Sequence, residues 1–200
     1  MRQRNTLSND LTIVIVERDK ERALSIVDSL LETGDHKIHV LAEESGLSRS
    51  IARLQPDVVL IDVANPSRDT IEQLATAASP LERPVAFFVD HSDAQMTKSA
   101  IEAGVSAYVV DGLHTDRIKP VMDAAIARFQ MFQRMRAELE TTKRALEERK
   151  VIDRAKGLLM KARGISEEEA YALLRKTAMG QGKRVADVAS ALVTTADLLS

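Results

Sequence analysis

The feature that most constrains this chain is an alternation repeated five times along its first 125 residues. Short apolar runs rich in β-branched residues are each followed by a segment whose apolar residues recur at helical spacing. Leu11 to Val16 reads as a buried strand, and Ala23, Ile26, Val27, Leu30 and Leu31 follow at helical intervals until Gly34. Ile38 to Ala42 is a weaker strand, followed by a short helix holding Ile51 and Leu54 before Pro56. Val58 to Ile61 is a fully apolar strand closed by Asp62, with Ile71, Leu74, Ala75 and Ala78 on the next helix. Pro84 to Val89 and Ala107 to Val110 are the last two strands, separated by a helix that Gly104 ends. Such alternation implies an α/β fold, a five-stranded parallel sheet with helices on both faces. Chemistry in such sheets sits at the carboxyl ends of the strands. There the sequence places Glu17, Arg18, Asp19, Asp62, Asp90 and Asp111. A lone Asp in Asp62's position is also a common helix cap.

From about Val121 to Arg163 strong helix formers run without Pro, and without Gly until Gly157. Phe132, Leu139 and Leu146 are seven apart, with Met135, Thr142 and Arg149 as companions. This reads as a short coiled-coil dimer, with a solvated connector helix as the alternative. The rest of the chain reads as a three-helix all-α module. Gly164 stops the long helix, and Ser166 with Glu169 forms a capping box for the next. Ala170, Leu173, Leu174, Thr177 and Ala178 form a buried stripe that Gly180 and Gly182 break. Val185, Val188, Ala189, Leu192 and Val193 form the stripe of the last helix. The expected domains are 10–125, the linker helix 126–150 and the helical module 149–200.

Charge separates these parts. Residues 1–142 carry a net −6 and residues 143–184 a net +6, hidden in a whole-chain value of −2. A basic segment of this kind suits an anionic partner, or is simply a solvated helical face. With no Cys, disulfides and thiolate metal sites are excluded. The polar stretch Met1 to Asp10 lacks a signal-peptide core, and no run is apolar enough to span a membrane. A cytoplasmic protein is expected. No Ser-His-Asp order, P-loop or dinucleotide fingerprint is present, and His36 and His39 would face opposite sides of a strand. An enzyme is not expected.

Over residues 10–125 this arrangement resembles the receiver domains of two-component, phosphorelay signalling. The resemblance implies that Asp62 accepts a phosphoryl group and that acids after the first strand hold Mg²⁺. It also implies a hydroxyl after the fourth strand and a Lys after the fifth. Here Arg18 replaces the second acid of the pair, Val89 stands at the hydroxyl position, and Asp111 stands where the Lys would be. Phosphoryl transfer needs cations around the equatorial oxygens, so this acidic pocket (Glu17, Asp19, Asp90, Asp111) suits it poorly. Arg18 is the candidate for a positive charge in place of the metal. Asp19 and Asp62 could hold Mg²⁺ only weakly, and phosphorylation of Asp62 is not expected to be the main switch. No other cofactor is expected.

The stretch from Arg149 to Ala189 includes Ala155-Lys156-Gly157-Leu158-Leu159-Met160, Gly164-Ile165-Ser166, Glu169-Ala170-Tyr171, Leu174-Arg175 and Ala178-Met179. It resembles the ANTAR family, the RNA-binding module of AmiR/NasR-type antitermination regulators, and the whole chain looks closest to NasT-type regulators of nitrate and nitrite assimilation. The resemblance implies binding to stem-loops of leader mRNA, where terminator formation is prevented and RNA polymerase reads on. It also implies a homodimer and a nitrate-sensing partner of the NasS kind. Ala155, Leu159, Ala170, Leu174, Ala178, Val188 and Ala189 are core positions, and Gly157 is expected to allow close helix approach. The candidates for RNA contact are Arg149, Lys150, Arg154, Lys156, Lys161, Arg163, Arg175, Lys176, Lys183 and Arg184, with Tyr171 either stacking on a loop base or half-buried in the core. A phosphorylation-dependent DNA-binding response regulator is the alternative. The Gly180 to Lys183 turn is long for its helix-turn-helix.

Overall fold

The computed structural model describes residues 10–42 and 46–199. The reading of the N-terminal residues before Asp10 lies outside them. The chain divides into two compact units, residues 1–133 and 134–200.

In the first unit five strands alternate with helices: β1 (Thr12–Val16), α1 (Lys20–Leu31), β2 (Lys37–Leu41), α2 (Leu47–Leu54), β3 (Val58–Val63), α3 (Arg68–Ala78), β4 (Val85–Val89), α4 (Ala94–Glu102) and β5 (Ala107–Val110). All pairings are parallel, in the order β2-β1-β3-β4-β5. The order reverses beside β1, and the carboxyl ends of β1 and β3 flank the crevice where a sheet of this type places its site.

The period-two alternation of the strands sorts their side chains onto two cores. Val14, Val16, Val59, Ile61, Val85 and Phe87 pack with α2, α3 and α4, through residues such as Ile51, Ile71, Leu74 and Ala100. Ile13, Ile15, Val58, Leu60, Ala86 and Phe88 pack with Ile26 and Leu30 of α1 and with Ile118, Met122 and Ala125 of the long helix α5 (Thr115–Arg163). Asp62 shares the parity of Val58 and Leu60. It lies inside β3 rather than after it, so it is not a helix cap; Ser67 caps α3 instead, accepting from the Thr70 amide.

The second unit takes the remainder of α5 with α6 (Glu167–Gln181) and α7 (Val185–Leu199). Its core is small: Ala155, Leu174, Ala189 and Val193 are buried together, with Ile152, Leu159, Val185, Val188 and Leu192 packed around them. Ala at the tightest positions lets the helices approach closely. The Ser166–Glu169 capping box is present in both directions. Gly180, expected to break α6, lies within it, and only Gly182, at φ +62°, ends it. The left-handed backbone there suits a residue without Cβ. The turn to α7 is therefore Gly182 to Arg184, and its length no longer argues against a helix-turn-helix. The seam residues Phe132, Met135, Leu139 and Leu146 are 48–62 % exposed on α5.

Candidate functional site

The β1–α1 turn builds the first site. Glu17 follows β1 almost fully buried, and its Oε1 accepts the Asp19 amide at 2.8 Å. Asp19 is the N-cap of α1 and accepts the Arg22 amide at 2.8 Å through its Oδ1. One helical turn on, Arg22 projects over the end of β3. Its Nε donates to Asp62 Oδ2 at 3.1 Å, and its Nη2 donates to Oδ1 at 2.9 Å and Oδ2 at 2.8 Å. The same guanidinium is 3.6 Å from Glu17 Oε2 and 3.6 Å from Asp90 Oδ1. The cation of this pocket is Arg22, not Arg18, which lies exposed on the wall of a cavity of about 560 Å³ beside Asp62. The missed signal was positional: the first turn of α1 stands over the strand ends, and its third residue points inward.

Burial pushes Asp62 up to about 7, and the neighbouring Glu17 carboxylate acts in the same direction while Arg22 opposes both. Burial disfavours the charge of Arg22, but the hydrogen bond to Asp62 and the fields of Asp62, Asp90 and Glu17 outweigh it and raise its pKa.

Other expected members sit apart. Asp111, at φ +88°, is exposed beyond β5 and makes no hydrogen bond or ion pair among the described residues. Val89 is buried and offers no oxygen. The following loop carries a hydroxyl on Ser92, which is bonded to Tyr108 at 2.9 Å. Gly112 packs tightly against Asp90, since a Cβ there would meet Asp90 Oδ1 at 2.6 Å. Among the described residues no group of three or more His, Asp or Glu side chains is placed to hold a metal.

In the second unit the structure sorts the basic residues into two kinds. Lys156 is only 15 % exposed, with Nζ 2.6 Å from both Asp153 and Glu167. Arg154 pairs with Asp197 at 2.6 Å, and Lys150 with Glu147 at 2.8 Å. Arg184 binds Glu148 at 2.8 Å and Asp187 at 2.9 Å, while Arg149 reaches Asp153 at only 3.9 Å. Lys161, Arg163, Arg175 and Lys176 are exposed and form no ion pair among the described residues, and Lys183 is exposed within the field of Asp187. Tyr171 is 44 % exposed, so it is a surface residue. It lies one turn before Arg175 on α6 and edges an open groove of about 660 Å³ that also includes Ile152, Gly157 and Met160. Gly157 does not serve a close approach within the unit, because nothing stands within 4 Å of where its Cβ would be.

The parallel five-stranded sheet with its acidic crevice has the fold of a signal receiver domain, and a small helical module follows it. Residues 140–193 match the family model of the ANTAR domain. The chain is 29 % identical over 183 residues to the transcriptional regulatory protein PdtaR of Mycobacterium tuberculosis, covering 88 % of this chain and 87 % of that protein. Over 62 residues it is 45 % identical to the nitrate regulatory protein of Klebsiella oxytoca, covering 31 % of this chain and 16 % of that protein. The first unit shares its fold with the signal receiver domain of a LuxO-type repressor from Vibrio parahaemolyticus (TM-score 0.51, 14 % identity, 63 % of this chain and 97 % of that one). Residues 140–193 thus carry an ANTAR domain, and over most of its length the chain is similar to a transcriptional regulatory protein. Its relatives by sequence are regulatory proteins, and no described helix is long and apolar enough to cross a membrane.

Proposed function

We propose that this protein is a transcription antiterminator whose ANTAR module binds stem-loops in leader mRNA and so keeps a terminator hairpin from forming. The observation that carries this reading is the set of outward cations Lys161, Arg163, Arg175, Lys176 and Lys183, with Tyr171 exposed beside Arg175. Unpaired cations release the counterions of a phosphate backbone, and an exposed ring stacks on an unpaired base. Nitrate and nitrite assimilation genes are the proposed targets, on the strength of the Klebsiella relative, and a nitrate-sensing protein the proposed control partner. The exposed α5 seam supports a homodimer paired through 126–150, which presents two modules to one transcript and raises apparent affinity through effective concentration.

The test is a titration of the full chain against leader RNA, with duplex DNA of the same sequence, across a salt series. Stem-loop-dependent RNA binding should weaken at least about tenfold when Arg175→Ala and Lys183→Ala are combined. The salt slope should fall by roughly 0.7–0.9 for each phosphate that is no longer neutralised. Lys156→Ala should change the slope little, because its ammonium is already neutralised by Asp153 and Glu167. Preference for duplex DNA would instead favour the helix-turn-helix reading, which the short Gly182 to Arg184 turn permits.

A further inference from the structure

The receiver fold implies a divalent cation between the acids at the ends of β1 and β3, and the residues here do not fit one. Mg²⁺ demands near-octahedral oxygens at about 2.0–2.1 Å. Glu17, Asp62 and Asp90 are the carboxylates that converge, but all three converge on the guanidinium of Arg22. Both oxygens of Asp62 accept hydrogen bonds from it. Asp19, the remaining acid of the turn, has its Oδ1 engaged by the α1 N-terminus.

We infer that Arg22 is a built-in replacement for the divalent cation, closing this pocket to metal and leaving Asp62 without a free oxygen for a phosphoryl group. Two features make the replacement stable. A guanidinium offers a planar fork that engages both oxygens of a carboxylate at once. Arg22 is also anchored at both ends, because its amide is bonded to the N-cap and its head to β3. A change of state in this unit must therefore withdraw Arg22, rather than add charge to Asp62. The neighbouring cavity of about 560 Å³, whose lining includes Arg22, Asn65 and Thr70, is the space into which the head could move.

The experiment is Mn²⁺ binding to the full chain, followed by the electron paramagnetic resonance signal of free Mn²⁺. The wild type should show no saturable site in the millimolar range. Arg22→Ala and Arg22→Gln should each create one, with affinity raised by at least about tenfold, since a like charge at contact distance is removed and three carboxylates are freed. Adding Asp62→Asn to either variant should abolish the gain. The Gln variant keeps much of the side-chain length and a hydrogen bond, so it guards against misfolding of the Ala variant, and circular dichroism verifies both. A millimolar Mn²⁺ site in the wild type would overturn the inference without reference to any variant. Folded variants that bind no better than the wild type would overturn it equally.

Discussion

The two charged regions of this protein are built on opposite plans. Around Asp62, acids and a guanidinium face one another, and each charge finds its partner within the fold. On the ANTAR module, about half of the basic residues are paired in the same inward way, and the others face solvent without an ion pair among the described residues. Surface ion pairs of the first kind on the module contribute little to stability, about 0–1 kcal/mol each. They also have little left to offer a phosphate. The contrast teaches that the net +6 of residues 143–184 overstates the electrostatic footprint, and that exposed cations without an ion pair, Lys161, Arg163, Arg175 and Lys176 among them, form its usable part.

The largest expected effect separates the regions by core size. Leu174 is the one large side chain among the four buried together in the module, whereas Leu60 is one of many in the sheet core. Each Leu→Ala substitution should cost about 2–5 kcal/mol. In urea denaturation followed by circular dichroism, Leu174→Ala should melt helical signal early and abolish RNA binding. Leu60→Ala should leave RNA affinity unaltered at low urea. Unchanged RNA binding by a Leu174→Ala protein whose module has melted would break the assignment of recognition to the module.

A smaller effect sharpens the account of the pocket. Asp62 titrates at about 7 in the folded protein and near 3.9 in an unfolded chain. Between those values the folded state holds a proton that the unfolded state has released. Stability from this group is therefore fully present below about pH 4 and falls as pH rises toward 7, by at most about 1.4 kcal/mol per pH unit. His36 acts in the opposite sense. Burial and Lys119 lower its pKa, so its contribution is lost as pH falls through the folded value. The comparison that isolates Asp62 is thus wild type against Asp62→Asn, by urea midpoint at pH 5.5 and pH 8. The fall between the two pH values should be larger in the wild type. Equal slopes would mean that Asp62 is ionised throughout.

The alternation that specified the sheet was legible because buried parallel strands show as unbroken apolar runs, and the boundaries moved by only a residue or two. The acids at the strand ends were legible for the same reason. Arg22 was not, since its role depends on the direction of the first turn of α1 over β3, a tertiary relation with no local pattern. The basic residues of the module could be named but not sorted. Lys156 and Arg175 look alike in sequence, and only the positions of Asp153 and Glu167 distinguish them. The break assigned to Gly180 failed because an isolated Gly inside a helix costs only about 1 kcal/mol, and α6 carries it through to Gly182.

The smallest effect concerns Gly157, which lies within α5 on the floor of the groove beside Tyr171. Replacing Gly by Ala in a helix interior gains about 0.5–1 kcal/mol, and a Cβ here would meet nothing within 4 Å. Gly157→Ala should therefore raise the stability of the module slightly, in contrast to a Gly that serves internal packing. The same groove is where a loop base stacked on Tyr171 would approach the helix backbone. If the module reads RNA through this edge, Gly157→Ala should stabilise the protein yet weaken stem-loop binding, and Gly157→Leu should weaken it further. A gain in stability with unaltered affinity for both variants would move the recognition surface away from the groove, onto the cations of α6 and the turn that follows it.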